Sequence, residues 1–134
     1  MSFERILLAF AATGLIPIAL GYGFSPNTSA PILYGFEIEG VNQPHIFRAV
    51  MGLYFGQIFF WYLGFLNQEF RRPALYMLAT FMLGLAIGRL ISVVIDGIPN
   101  SLLLLYLFLE LLIGTSALVA LRHGKEQSDS DEET

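Results

Sequence analysis

Arg89 and Glu110 are the residues whose types and places in the chain could do chemistry, because each is the one charge inside a long apolar segment, 74–95 and 101–121. Between the segments lies Asp96-Gly97-Ile98-Pro99-Asn100, whose Gly, Pro and Asn predict a tight turn and antiparallel helices. At a 1.5 Å rise per residue, Arg89 lies about 9 Å inside its helix counted from Ile95, and Glu110 about 13 Å inside counted from Ser101. Helix side chains tilt toward the N-terminus, which drives Arg89 deeper and Glu110 shallower, so the two heads lean together. The sequence therefore predicts an intramembrane ion pair. An ionisable residue within a span is a functional candidate by default. The competing reading is a structural pair that fixes register between the two helices.

Around this pair the sequence groups Arg48, Asp96, His45, Tyr106 and Gln57 into a candidate polar cluster, all but Gln57 in the half of the chain that faces the loop 23–43. Each has a plainer reading. Arg48 lies in the first turns of its span and snorkels; Asp96 caps the turn; His45 is a lone interfacial histidine; Gln57 hydrogen-bonds to another helix. Phe55, Phe59, Phe60 and Trp61 read as lipid-facing packing and not as a cofactor box. No Ser-His-Asp set and no phosphate-binding glycine loop is present, so no catalytic residue is expected. Glu110 as an acid or base is the remaining enzymatic option, and Arg89 beside it argues against a proton relay. The chain has no cysteine, which excludes disulfides, thiolate nucleophiles and Cys-based metal sites. His45 and His123 fall on opposite membrane sides, which removes a bis-His haem or zinc site, so no metal or cofactor is expected.

The elements that must position these residues are apolar helices. Of 134 residues, 55% are hydrophobic and 13% charged, and the mean hydropathy is +0.64. That is too apolar for a soluble domain of this length, and apolar windows near 6–22, 45–66, 74–95 and 101–121 are long enough to span a bilayer. The expected fold is an all-α membrane protein, a four-transmembrane-helix antiparallel bundle over 1–123, followed by a disordered acidic tail, 124–134. The net charge of −4 comes largely from that tail, and nothing basic enough for nucleic acid is present. A cleaved signal peptide is the alternative for the first span, since Ala19 and Gly21 place small residues before Tyr22. Segment 23–43 reads as the one long loop, with Ile32–Phe36 on the interface; its Asn27-Thr28-Ser29 is a short glycosylation-type match. Asn67–Pro73 reads as a short polar loop, flanked by an aromatic belt of Trp61, Tyr62 and Tyr76. Arg5, Arg71, Arg72, Arg122 and Lys125 all fall on one side, which predicts both termini in the cytoplasm and the long loop outside.

In lipid, helices associate through small residues that let backbones approach. The stripes are Ala9, Thr13, Pro17 and Gly21 in the first span, Arg48, Gly52 and Gly56 in the second, Thr80, Gly84, Gly88, Ser92 and Asp96 in the third with Arg89 on its flank, and Tyr106, Glu110 and Gly114 in the fourth with Ala117 next. Gly52, Gly56, Gly84, Gly88 and Gly114 are thus the expected helix-packing residues. A charge at a span centre costs about 2.5–3.5 kcal/mol on the insertion scale, which the leucine-rich fourth span offsets for Glu110.

The run His45–Tyr54, then Arg71-Arg72-Pro73-Ala74-Leu75, Gly84–Leu90, Asp96-Gly97-Ile98-Pro99 and Glu110-Leu111 resemble a family of small bacterial four-span proteins classed as a domain of unknown function. The resemblance covers nearly the whole chain except the tail. It implies a bacterial inner-membrane location and four spans, and it transfers no catalytic residue. The functional expectation is an accessory or interaction protein of the membrane with a buried Arg–Glu pair, its partners being the lipid bilayer, a second copy or a larger membrane complex. The alternative is a binder or carrier of a small anionic or lipidic molecule entering from outside, with Arg48 and Arg89 as anion ligands; a membrane enzyme using Glu110 comes last.

Overall fold

A computed structural model describes residues 1–132 of the backbone and side chains as far as His123. Its helices are α1 (Phe3–Gly23), α2 (Pro26–Tyr34), α3 (Asn42–Leu66), α4 (Gln68–Ile95) and α5 (Ser101–Glu132), and no strand occurs among the described residues. Helices α1, α3, α4 and the 101–123 part of α5 are long and apolar enough to cross a membrane. They alternate in direction. The α1 C-terminus, α2, the α3 N-terminus and the α4–α5 turn share one end, called here the α2 end.

Two regions depart from the expected loops. Segment 23–43 contains α2, because Pro26 pre-sets the first helical position and Gly35 closes the helix at φ 79°, its N–H donating to the Ala30 carbonyl at 3.0 Å. The supposed loop 67–73 shrinks to Asn67, whose extended backbone (φ −116°, ψ 127°) separates α3 from α4. Pro73 then lies inside α4, which forgoes the bond a residue with an N–H would give to the Glu69 carbonyl. The backbone of α5 runs past the expected span end and into the segment expected to be disordered, as far as Glu132; the side chains of that segment and residues 133–134 lie outside the described residues.

The core forms where small residues of one helix receive large ones of another. Trp61 and Leu8 are fully buried, with Ala11, Ala12, Ala74, Leu75 and Leu78 around them. Gly64 lies at the α3–α4 crossing, where a Cβ would overlap Ala74 Cβ and come within 3.1 Å of Leu8. Gly23 does the same against Met51, and Gly114 against Leu83 at 2.8 Å. Of the expected packing glycines, only Gly114 has this role. Gly52, Gly56, Gly84 and Gly88 meet nothing within 4 Å of an added Cβ, so their stripes face away from neighbouring helices. Trp61 is likewise neither belt nor lipid-facing: it is core, edge-on to Phe81 at 5.7 Å. Tyr62 ties α3 to α1 through a 2.8 Å bond with Thr13.

The α4–α5 turn is held by Asn100 and not by the Asp96 side chain. The Asn100 Oδ1 accepts from the Leu103 N–H at 3.0 Å and its Nδ2 donates to the Leu33 carbonyl at 3.2 Å, docking α2 on the turn. Asp96 ends α4 through its own N–H, which donates to the Ser92 carbonyl at 2.7 Å.

Candidate functional site

α4 and α5 run side by side from a short turn, so the residues predicted to meet do meet. Arg89 Nε donates to both Glu110 oxygens at 2.9 Å, and the two side chains are 20% and 8% exposed. The guanidinium lies over the Tyr106 ring, 5.5 Å from its centroid, a cation–π contact. A guanidinium carries further N–H donors on its terminal nitrogens. In Arg89 the Tyr22 hydroxyl engages one of them, while Glu110 takes the Nε–H.

Arg89 borders two spaces. A groove of about 760 Å³ opens beside α4, its floor made by Gly84, Gly88 and Ser92 and its walls by Tyr22, Tyr54 and Phe81. Asp96 and the Gly97–Pro99 turn line its upper part, and Leu103 and Leu107 of α5 complete it. The glycine stripe of α4 is therefore the bed of a groove and not a helix contact. A cavity of about 90 Å³ lies between α1 and α5, walled chiefly by Phe10, Leu15, Met82 and Ile113, and it touches Glu110 as well as Arg89. The ion pair stands between the two spaces. The enzymatic option needs a polar path to Glu110; the cavity beside it has mostly apolar walls.

The aromatic wall was not found by sequence reasoning. Tyr22 stands edge-on to Tyr54 at 5.5 Å, and Tyr54 edge-on to Phe81 at 5.4 Å. Tyr22 also stacks on Tyr34 of α2 at 5.2 Å. The Tyr34 hydroxyl is buried without a partner, and burial together with Tyr22 and Tyr106 nearby pushes its phenol far above the ordinary tyrosine range. The signal available was that Tyr22, Tyr34, Tyr54 and Tyr106 all fall in the part of the chain near the α2 end.

The remaining members of the predicted cluster disperse. Arg48 is exposed on α3, with its backbone against Gly23, and it lines neither space. His45 is exposed and also stands apart. Gln57 is half-buried, and its Oε1 finds no partner where an interhelical bond was expected. Position along a helix axis placed these residues near the pair, but their direction around the axis separates them. At the opposite end, Arg5 Nε donates to the Phe65 carbonyl at 3.2 Å with its guanidinium over the Phe65 ring. Among the described residues no three His, Cys, Asp or Glu side chains cluster as metal ligands would.

Over residues 3–121 the sequence matches the model of a family described as Domain of unknown function (DUF4345). No curated protein and no solved structure matches the chain.

Proposed function

The chain belongs to the DUF4345 family, whose description assigns no activity, and we propose from its own residues that it holds a lipid-like amphiphile in the groove beside α4. The observation that carries this reading is the groove itself: a space of about 760 Å³ with a glycine floor, apolar and aromatic walls, and one cationic group facing it. From Thr80 to Asp96 the floor runs about 24 Å at the helical rise, against roughly 30 Å for the hydrocarbon core. Glycines that meet no neighbouring helix leave the room a chain of methylenes would take. Ligand sites are mostly apolar clefts of about 300–1,000 Å³ with a few placed polar groups, and this groove has that character.

The topology that goes with this reading puts both termini in the cytoplasm of a bacterial inner-membrane protein and the α2 end outside. It is supported by Arg5, Arg71, Arg72 and Arg122 at one end of the helices and by segment 23–43, which has acidic residues and no Lys or Arg. The groove then opens in the outer half of the membrane. Arg48 takes no part in it.

Native mass spectrometry from a mild detergent tests the reading. The wild-type chain is expected to carry bound lipid, and Gly88→Leu, whose Cβ has nothing within 4 Å and whose branch fills the groove floor, is expected to lose it. A chain that flies free of lipid, or one whose adducts persist in Gly88→Leu, contradicts it. A second reading, an accessory protein whose pair only makes the helices rigid, is favoured by one observation: both carboxylate oxygens of Glu110 are engaged by Arg89.

A further inference from the structure

Resting on the groove reading, we infer that the ligand's head is neutral and flat and carries carbonyl oxygens, as in a prenylated quinone, and is not an anionic phosphate head. The charges beside the groove argue this first. The Arg89 cation is matched by Glu110 at 2.9 Å, and the other charged side chain lining the groove is the Asp96 carboxylate. A second cation, Arg48, does not reach it. The pair is neutral as a unit, and the exposed Asp96 carboxylate at the groove mouth would repel a phosphate head entering past it.

The donors argue it next. Arg89 spends its Nε on Glu110 and meets the Tyr22 hydroxyl, which cannot use all of its terminal N–H groups and leaves donors to the groove that Arg89 lines. Donors that face an apolar groove favour an occupant with an acceptor oxygen, because a polar group against hydrocarbon is costly without one. A carbonyl supplies lone pairs without bringing a charge.

Depth and shape point the same way. Arg89 lies about 9 Å below the end of α4 by helical rise, where an ionised head would have to be carried into hydrocarbon. From Tyr22 beside Arg89 the wall descends through Tyr54 to Phe81, three rings in edge-to-face series that reach about 12 Å deeper along α4. Aromatic faces and edges pack well on a flat ring. A quinone ring against this wall would present a carbonyl to the guanidinium, and its prenyl chain would follow the Gly88 and Gly84 floor toward Thr80.

Trp61 makes the inference testable, since it is the chain's one tryptophan and its ring lies 5.7 Å from Phe81 of the wall. Full-length protein in a nonionic detergent is titrated with a short-chain prenylated benzoquinone, which quenches a nearby indole. Dioleoylglycerol and dioleoylphosphatidylglycerol, which share acyl chains and differ in head charge, are then used as competitors. The expected result is saturable quenching that Gly88→Leu abolishes, with phosphatidylglycerol needing at least a tenfold higher mole fraction than dioleoylglycerol to reverse it. Phosphatidylglycerol that competes as well or better overturns the neutral head and leaves the groove reading standing. Quenching that never saturates, in a protein whose lipid adducts Gly88→Leu still removes, overturns the flat head alone. If Gly88→Leu changes neither the quenching nor the adducts, the groove reading itself falls.

Discussion

Removing one partner of the Arg89–Glu110 pair exposes how the pair acts. In Arg89→Ala the Glu110 carboxylate, 8% exposed in the intact pair, loses its only hydrogen-bond donor among the described residues. Breaking a buried pair in this way costs about 3–5 kcal/mol. Against a total stability of roughly 5–15 kcal/mol, that is a large share. It corresponds to a fall in the folded-to-unfolded ratio of roughly a hundred- to several-thousand-fold. The reciprocal change, Arg89→Glu with Glu110→Arg, restores opposite charges across the same α4–α5 contact and is expected to recover at least half of the loss. Denaturant titration in a fixed detergent, followed by Trp61 fluorescence, gives the four stabilities of the double-mutant cycle. Because the pair is mostly buried, the coupling is expected to survive in 1 M salt, where exposed pairs beyond a few ångströms are screened. A loss below about 1 kcal/mol for Arg89→Ala, typical of a surface pair, or a swap no more stable than that single variant, would refute the reasoning.

Other perturbations follow from single contacts. Gly64→Val puts a branched side chain where a Cβ already overlaps Ala74; overpacking of this kind costs about 1–3 kcal/mol or more, visible as a lowered unfolding midpoint, whereas Gly52→Ala, with nothing within 4 Å, is expected to leave it unchanged or raised. Asn100→Ala removes the cap on Leu103 and the tie to Leu33, a loss of about 0.5–2 kcal/mol, with faster amide exchange expected in α2. Tyr34 keeps its proton in the folded chain well above the ordinary value of about 10. The unfolded chain binds fewer protons there once pH passes that value, so stability falls as pH rises through about 10. Tyr34→Phe is expected to make that fall shallower than in the wild type, as followed by unfolding at a series of alkaline pH values.

How much of this was legible in the sequence differs from residue to residue. Arg89 and Glu110 were legible because a lone charge in an apolar span has a depth that follows from helical rise alone, and a short turn fixes which helix it can meet. Arg48 and His45 were grouped with them on depth, yet they disperse, since depth says nothing about direction around the axis when several helices surround a residue. The G-x-x-x-G pairs show where a backbone can be approached and not by what; at Gly84 and Gly88 the answer is a groove, while the close helix contacts fall on Gly23, Gly64 and Gly114. Helix α2 was hidden by Pro26, Pro31 and Gly35, which punctuate a loop and equally well start and stop a short helix. The tyrosine wall joins four helices, α1 through α4, with no shared sequence neighbourhood, so no local pattern could announce it.

The central claim is that the membrane enters the protein beside α4. Photo-crosslinking with a diazirine placed along a lipid acyl chain, followed by peptide mapping, tests it most directly. Adducts are expected to concentrate on the groove residues Phe81, Leu85 and Val93, to exceed those on the exposed residues Ile87, Ile91 and Val94, and to disappear in Gly88→Leu. Labelling that favours Ile87, Ile91 and Val94 and ignores the Gly88 substitution would contradict the account.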